Sequence, residues 1–454
     1  MDAFIDRHPR LSAVRERLAA IFPRGAILLS ILTFVAYLMG LVRDRAFART
    51  FGAGSDLDAY NAALVVPELL LAILVVAGLS SAFVPVYSKI HHDDPAATQD
   101  FARTVLTASV LIMAATVAVL FVLAPHTVSF VAPGFDEAQQ AQFTELFRVM
   151  CVTAIIFAAS FALGEMLVVR QRFLAYGLAP VLYNAGIVFG AVVLSPSMGI
   201  MGAAVGTVVG ASLHLGVRVL EIVRTDFRYR PLLGLFSSGF REYVRLSIPK
   251  ALAAPVEPLT FLFFTSIAST LVVGGISAVS FARNFQSVPV SLVGIAFAVA
   301  AFPVMARAVS DGDGARFRRL VVVNLATIAL LTSVAAVGLI VVGGLAIDLF
   351  LGGEAFDADD VALTTQLLAV FALAVPFEAV SHLLARAVYS TRNTVLPVAA
   401  SLIGLGVTVG TVLLLSPGMG IVALPLGFVT GQATEVVLLL GAFVVRSRTV
   451  GAQV

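Results

Sequence analysis

Long apolar runs alternate with short polar segments along almost the whole chain. A window of about 20 residues, the length that a helix needs to cross a bilayer, picks out about twelve such runs. They cover residues 25–44, 57–88, 103–126, 143–168, 175–195, 199–219, 244–270, 276–306, 319–347, 361–388, 394–416 and 420–444. Several are longer than a bilayer is thick, so we expect tilted, bent or protruding helices. The pattern predicts an all-α polytopic membrane protein with about 12 transmembrane helices.

The charges between these runs alternate from one side to the other. Arginines gather in every second loop, whereas the intervening loops are acidic or uncharged, as at Asp136 and Glu137. By the positive-inside rule, we expect the basic loops and both termini of this multi-pass protein to be cytoplasmic. Arg43, Arg45 and Arg49 break the rule, because they fall on the outer side.

Two parts of the chain repeat one another. The residues Leu-Ser-Pro-Ser-Met-Gly-Ile at 194–200 recur as Leu-Ser-Pro-Gly-Met-Gly-Ile at 415–421, and a short basic turn precedes each copy, at 170–172 and 391–393. Because six crossings return a chain to the same side, we predict two six-helix repeats, the plan of transporters that bind substrate between their halves. The predicted parts are a basic amphipathic segment over 1–24, an N-lobe over 25–223, a basic cytoplasmic linker over 224–241, a C-lobe over 242–446 and a cytoplasmic tail over 447–454.

Composition narrows the class of protein. The chain is 59% hydrophobic and 12% charged, with a mean hydropathy of +1.01, whereas soluble domains are about 25% charged. The single cysteine, Cys151, excludes a disulfide framework and a cysteine-based metal site. The basic first 24 residues do not resemble a secretory signal peptide. There is no GxxxxGK[ST] run and no HExxH motif, so the sequence indicates neither a nucleotide-driven motor nor a zinc hydrolase.

The first hairpin carries charges at the outer end of its first apolar run. An ionised side chain in hydrocarbon costs about 2.5 kcal/mol or more, so such residues usually face a watery cavity or a partner. Arg43 and Arg45 have two interpretations. They reach the lipid headgroups while pairing with Asp44, or they form an anion-binding rim, since guanidinium groups bind phosphate with two parallel hydrogen bonds.

Further charges lie within the apolar runs. Arg283 shares a polar helix face with Asn284 and Gln286, which indicates either a cavity wall or a buried pair with an acidic neighbour. The acids within the runs are candidates for proton or sodium coupling or for structural ion pairs. These acids are Asp58, Glu68, Glu165, Glu257, Glu378 and Glu435, with His214 and His382 beside them.

Several short motifs resemble those of the MurJ (MviN) family, the lipid II flippase branch of the multidrug/oligosaccharidyl-lipid/polysaccharide exporter superfamily. The likeness spans both halves in order, and the N-terminal hairpin is its most specific part. The motifs are Gly40-Leu41-Val42-Arg43-Asp44, Phe51-Gly52-Ala53-Gly54 with Asp58-Ala59-Tyr60, Pro67 followed by Ala82-Phe83-Val84-Pro85, Ala132-Pro133-Gly134-Phe135, and Phe281-Ala282-Arg283 leading to Pro289 and Pro303.

The resemblance implies two six-helix lobes in a V around a cationic cavity, and movement of an undecaprenyl-diphosphate-linked murein precursor between leaflets. Substrate-binding candidates are Arg43, Arg45, Asp58, Arg283 and Gln286. Coupling or ion-pair candidates are Asp44, Glu68, Glu257 and Glu378, and no metal ligand is predicted. The chain departs from the family pattern at Tyr37, Leu71, Ala72 and Gln286, where family members carry charged residues, and the extra C-terminal helix pair of longer members is expected to be missing.

We therefore expect a flippase without covalent chemistry or a cofactor, driven by the membrane potential or by a proton or monovalent ion gradient. Its expected partners are a lipid-linked oligosaccharide, the bilayer and cell-wall synthesis proteins, with no nucleic acid, and it is expected to be a monomer. Three alternatives stay open: a flippase for another polyprenyl-linked glycan, an exporter of small amphipathic compounds, and a non-transporting scaffold for envelope synthesis.

Overall fold

The computed structural model describes residues 24–253 and 255–450. Within them the chain is helical, and no strand occurs in these two ranges. The amphipathic segment predicted over 1–24 lies outside the described residues except for its last position, and the end of the predicted tail, 451–454, lies outside them too.

The helices follow one another with short connections. In chain order they are α1 (Arg24–Phe51), α2 (Ser55–Leu71), α3 (Val84–Asp93), α4 (Pro95–Val131), α5 (Glu137–Val169), α6 (Phe173–Phe189), α7 (Ser195–Met198), α8 (Ile200–Val223), α9 (Ser238–Ala253), α10 (Val256–Ser269), α11 (Gly275–Pro289), α12 (Ala296–Ser310), α13 (Gly314–Leu351), α14 (Ala358–Ala372), α15 (Val375–Ser390), α16 (Val395–Met419) and α17 (Ala423–Thr449).

Most of these helices are apolar enough to cross a membrane. Across the described ranges, eight helical stretches have the length and composition of a span, and the pair α14 and α15, which bend by 42° at their junction, makes up to nine. The prediction of an all-α polytopic membrane protein is confirmed. The count of twelve crossings, the arrangement as two six-helix repeats and the lobe boundaries stay predictions.

The backbone repeats an unusual local conformation at the spacing that the sequence motifs show. Six of the seven left-handed φ angles in the described ranges occur in pairs of residues 221 or 222 positions apart, in turns that join helices, and Gly312 is the seventh. The pairs are Gly52 and Gly274 (φ 66° and 80°), Gln171 and Arg392 (55° and 58°), and Gly199 and Gly420 (59° and 56°). The two copies of the Leu-Ser-Pro motif thus end in the same turn, since Gly199 and Gly420 also share ψ angles of −146° and −139°.

Wider helical turns interrupt three of the long helices in the described ranges. π-helical turns at Ala72–Val76 and Leu79–Phe83 join α2 to α3, one at Gly190–Leu194 joins α6 to α7, and one at Val290–Ile295 joins α11 to α12. Pro289 precedes the last of these turns. Because proline lacks an N–H group, it removes one helical hydrogen bond and favours such a local rearrangement.

The chain folds into two compact units. Unit 1 comprises Met1–Ala46, Pro67–Ala124 and Glu145–Ala254. Within it, α6 and α8 pack closely through glycines: a Cβ added to Gly206 would lie 2.5 Å from the Cα of Gly190. Within a bilayer the hydrophobic effect does not drive helices together, and small residues stabilise their association by allowing the backbones to approach closely.

Unit 2 comprises Phe47–Val66, Pro125–Thr144 and Pro255–Val454. A buried apolar cluster lies among α12, α13, α15 and α17, with Phe317, Ile328, Leu383 and Leu439 fully buried. This cluster fixes α15, the helix that carries Glu378, in place within the unit.

Candidate functional site

Arg43 lies on α1 in unit 1 and contacts α6. Its Nε and NH2 groups donate to Oδ1 of Asp44 at 3.1 and 2.8 Å, and its NH1 group lies 3.3 Å from Oδ1 of Asn184. Asp44 is 3% exposed, whereas the Arg43 side chain keeps 26% of its surface exposed. The pairing with Asp44 agrees with the interpretation in which the arginines of this hairpin reach the lipid headgroups. The contact with Asn184, however, directs the Arg43 guanidinium towards α6 of the same unit.

The other candidates on this hairpin are placed differently. Arg45 is half-buried. Glu68 is exposed, and its carboxylate is attracted electrostatically to Arg43 in the same unit. Arg43 thus stands among one buried carboxylate, one amide and one exposed carboxylate, so its charge is already compensated within unit 1.

Arg283 lies at the centre of a buried cluster in unit 2. Its NH1 and NH2 groups donate to the two carboxylate oxygens of Glu378 at 2.9 and 3.2 Å, the parallel geometry that suits a guanidinium and a carboxylate. The amide of Gln286 accepts from Arg283 and donates to Glu378 at 2.9 Å. Arg283 is 5% exposed and Gln286 is fully buried. The interpretation as a buried pair with an acidic neighbour therefore describes this arrangement.

Local structure explains how the cluster forms. Arg283 and Gln286 are three residues apart on α11 and so share one helix face. Glu378 lies in the first turn of α15, where the helix dipole favours a negative charge. The Phe428 ring lies 4.4 Å from the Arg283 guanidinium carbon, close enough for a cation–π contact.

Glu257 gives the cluster an excess of negative charge. Its carboxylate lies 3.9 Å from the NH2 group of Arg283, and 75% of its side chain is exposed. One guanidinium therefore faces two carboxylates, one buried and one at the surface of unit 2. An added phosphate would have to displace or neutralise a carboxylate before it could take both donor positions of Arg283.

Asp58 closes the N-terminus of α11 within unit 2. Its Oδ2 accepts from the Gly274 amide at 2.7 Å, and its Oδ1 accepts from the amide and the hydroxyl of Ser277 at 2.8 and 2.7 Å. Asp58 is 1% exposed. A buried carboxylate that holds the first amides of a helix acts as a cap, and its predicted role in substrate binding stays a prediction.

The candidates thus fall into separate groups. Arg43, Asp44 and Glu68 are associated in unit 1. Arg283, Gln286, Glu257 and Glu378 are joined in unit 2, while Asp58 holds the start of the helix that carries Arg283.

Sequence reasoning missed a buried polar cluster in unit 1. Arg218 lies at the end of the apolar run predicted over 199–219, where we expect a cytoplasmic loop charge. In the structure it is within α8 at 3% exposure and donates to the Ser160 carbonyl at 2.7 Å. One turn earlier, Nδ1 of His214 lies 2.7 Å from the Ser160 hydroxyl. The spacing of four residues between His214 and Arg218 could have shown that both face the same way.

No metal site is evident in the part of the chain that the structure covers. Across residues 24–253 and 255–450, no three His, Cys, Asp or Glu side chains come together in a group that could hold an ion.

The fold is similar to solved structures of membrane transporters. It superposes on "Lipid II flippase MurJ, inward closed conformation" with a TM-score of 0.81 at 22% identity, covering 94% of this chain and 90% of that one. It superposes on an inward-facing "multidrug resistance MATE family transporter of the MOP superfamily" with a TM-score of 0.76 at 15% identity, covering 94% and 98%. These likenesses show the fold of the chain, that of a polytopic α-helical membrane protein.

Sequence comparison then shows the family. A model of the family described as "Lipid II flippase MurJ" matches residues 47–451, and the chain belongs to this family. It is 27% identical over 391 residues to "Probable lipid II flippase MurJ" of Thermotoga maritima, covering 86% of this chain and 78% of the relative. It is 26% identical over 388 residues to "Lipid II flippase MurJ" of Burkholderia cenocepacia, covering 83% and 74%.

Proposed function

We propose that this protein is a lipid II flippase, which moves an undecaprenyl-diphosphate-linked peptidoglycan precursor from the inner to the outer leaflet of the cytoplasmic membrane. The family match over residues 47–451 carries this proposal, because it spans both predicted halves. The function involves transport alone, without covalent chemistry or a cofactor.

The cations proposed for the diphosphate of the substrate are Arg43 in unit 1 and Arg283 in unit 2, with Arg45 as a further cation. Each of the first two guanidiniums already has a carboxylate partner, Asp44 at 2.8 Å and Glu378 at 2.9 Å. Substrate binding is therefore an exchange of anions: the phosphate replaces a carboxylate and leaves the arginine compensated throughout. Such an exchange avoids the cost of about 3–5 kcal/mol that follows when a buried charge loses its only partner.

Gln286 assists this exchange at the second arginine. Its amide contacts both Arg283 and Glu378, so it can keep a hydrogen bond to the guanidinium while the carboxylate moves. An amide also adds no negative charge where family members carry an acid, and this favours an approaching phosphate.

The driving force is the membrane potential or a gradient of protons or monovalent ions. The candidates for coupling are the carboxylates Asp44, Glu68, Glu257 and Glu378. Protonation of any of them would weaken its attraction to the neighbouring arginine and leave that guanidinium available to another anion. Both termini lie in the cytoplasm, and the protein acts as a monomer beside cell-wall synthesis proteins.

The test is complementation of a strain depleted of its own flippase. Arg283→Ala should abolish growth even when its expression is adjusted so that its abundance in the membrane matches that of the wild-type protein. Arg148→Ala is the matched control, because Arg148 also lies in a predicted span but contacts only α4, at the Phe121 carbonyl and ring. Full complementation by Arg283→Ala would refute the role of this arginine.

An exporter of small amphipathic compounds is the second candidate. The cluster of Arg283, Glu257 and Glu378 favours this function, because the excess negative charge of the cluster suits a cationic compound. The likeness in fold to the multidrug transporter described above also supports it. Binding of purified protein to undecaprenyl diphosphate and to a lipophilic cation distinguishes the two functions. Tighter binding of the cation would favour the exporter.

A further inference from the structure

The chain between α8 and α9 lies against the ends of membrane helices in unit 1. Phe227 is 2% exposed. The carbonyl of Arg228 accepts from Nε of Arg103 at 2.8 Å, and the Tyr229 hydroxyl lies 3.3 Å from that of Thr107. Because Arg103 and Thr107 are both on α4, this part of the linker is fixed to that helix.

Two apolar grooves flank Tyr229, whose side chain forms part of both. The first has a volume of about 450 Å³, and the second of about 390 Å³. The first is lined by Leu106, Ala159, Leu163 and Val219, and the second by Leu111, Leu232 and Leu233. Large apolar side chains next to the first groove are exposed, with Leu220 at 65% and Val223 at 64%, so this groove opens towards the surface of the membrane helices.

Arg228 stands at the rim of the first groove with two of its five N–H donors engaged. Its NH1 group donates to the carbonyls of Thr225 and Phe227 at 2.7 and 3.0 Å. The two bonds fix the guanidinium, and they leave the Nε and NH2 donors as a fork of the shape that binds a phosphate with two parallel bonds. No carboxylate in the described ranges lies within 4 Å of Arg228.

The nearby acids are engaged by other arginines. Burial raises the pKa of Asp226, but the Arg170 guanidinium 3.1 Å away outweighs this effect and holds that pKa below its usual range. Asp226 therefore stays ionised beside Arg170. Asp100 lies 2.7 Å from Arg103. Arg228 thus differs from Arg103 and Arg170, because no carboxylate of the described ranges lies within 4 Å of it.

We propose that this surface binds an anionic diacyl phospholipid of the inner leaflet, with its phosphate on Arg228 and one acyl chain in each groove beside Tyr229. Two grooves of similar volume on either side of one side chain fit a lipid with two chains, whereas a polyprenyl substrate has a single chain. The basic linker is predicted from the loop charges to be cytoplasmic, and at that position Arg228 would lie at the depth of the lipid headgroups. The site is separate from the arginines assigned to the transported substrate.

Native mass spectrometry of the purified full-length protein with added phosphatidylglycerol or phosphatidylcholine tests the site. Both lipids present a phosphate to Arg228, but the trimethylammonium group of phosphatidylcholine cancels its negative charge. Wild-type protein should therefore bind phosphatidylglycerol about fivefold more tightly, the ratio expected for one arginine at an anionic lipid surface. Arg228→Gln should lose that preference, and Ala159→Phe, which places a ring in the first groove, should weaken binding of both lipids. Arg241→Gln is the matched control, because Arg241 is an exposed arginine in the first turn of the following helix, α9, and lines neither groove.

Two results would overturn the proposal. The first is that Arg228→Gln keeps the wild-type preference for phosphatidylglycerol. The second is that Arg228→Gln weakens binding of undecaprenyl diphosphate more than binding of phosphatidylglycerol, because the grooves would then hold the substrate. If Ala159→Phe does not fold, Val219→Phe fills the same groove from a residue that is 39% exposed, and undiminished lipid binding by that variant counts equally against the proposal.

Discussion

Replacing Asp58 with asparagine tests the cap that holds the start of α11. The carboxylate accepts three hydrogen bonds, from Gly274 and Ser277, and is 1% exposed. In Asp58→Asn one oxygen becomes an NH2 group that must face an amide N–H, so at least one bond is lost and a buried donor is left unpaired. Hydrogen bonds to charged groups contribute about 1.5–3 kcal/mol each. We expect a loss of about 2–4 kcal/mol in the free energy of unfolding, given the added cost of the unpaired donor.

Thermal unfolding in detergent and amide hydrogen exchange measure this effect. The midpoint temperature should fall, and exchange should accelerate at the amides of Gly274 and Ser277. Asp56→Asn is the matched control, because Asp56 is exposed and accepts one bond from Gln142 at 2.8 Å, which the asparagine oxygen can still accept. The control should change stability by no more than about 0.5 kcal/mol.

Equal behaviour of the two variants would refute the reasoning. If Asp58→Asn unfolds at the same temperature as Asp56→Asn, with unchanged exchange at Gly274 and Ser277, then the Asp58 carboxylate does not stabilise α11. A fall in midpoint without faster exchange at those amides would place the effect elsewhere in the fold.

Two further predictions concern packing and charge. Glu378→Ala leaves Arg283 buried without its main partner and should lower the free energy of unfolding by about 3–5 kcal/mol. The control Glu257→Ala removes an exposed carboxylate and should lower it by less than about 1 kcal/mol. Equal midpoints of the two variants in thermal unfolding would contradict this prediction. Gly206→Val should separate α6 from α8 and lower the yield of monodisperse protein in size-exclusion chromatography. The control Gly216→Val, with open space around its Cβ position, should leave that yield unchanged. Equal yields of the two variants would count against the close glycine contact.

The membrane class and the repeated turns could be predicted from the sequence because both are local properties. Apolar runs determine where spanning helices form. The repeated motifs end in turns of the same conformation at Gly199 and Gly420, since glycine tolerates the left-handed φ angle that the turn needs.

The partners of the charged residues could not be predicted in the same way. Arg283 and Glu378 are 95 positions apart and meet only because α11 and α15 pack together. The sequence named both residues and left open whether Arg283 faces a cavity or an acidic neighbour. Periodicity cannot decide between these outcomes, because each places the arginine on a polar helix face.

For Arg218, the sequence pattern predicted an exposed loop charge, whereas the structure shows a buried one. Its position near the end of an apolar run favours a loop charge, yet it is buried against α5. Gly164 makes this possible, because a Cβ added there would lie 2.5 Å from a guanidinium nitrogen of Arg218. The site of a buried arginine thus depends on a small residue on another helix, 54 positions away along the chain.

The most direct test is a leaflet-specific assay of lipid II in cells that depend on this protein as their flippase. The account predicts that wild-type protein and Arg148→Ala make lipid II accessible at the outer leaflet, and that Arg283→Ala reduces this accessibility to the level of depleted cells. Outer-leaflet lipid II at the wild-type level with Arg283→Ala, or none with the wild-type protein, would contradict it.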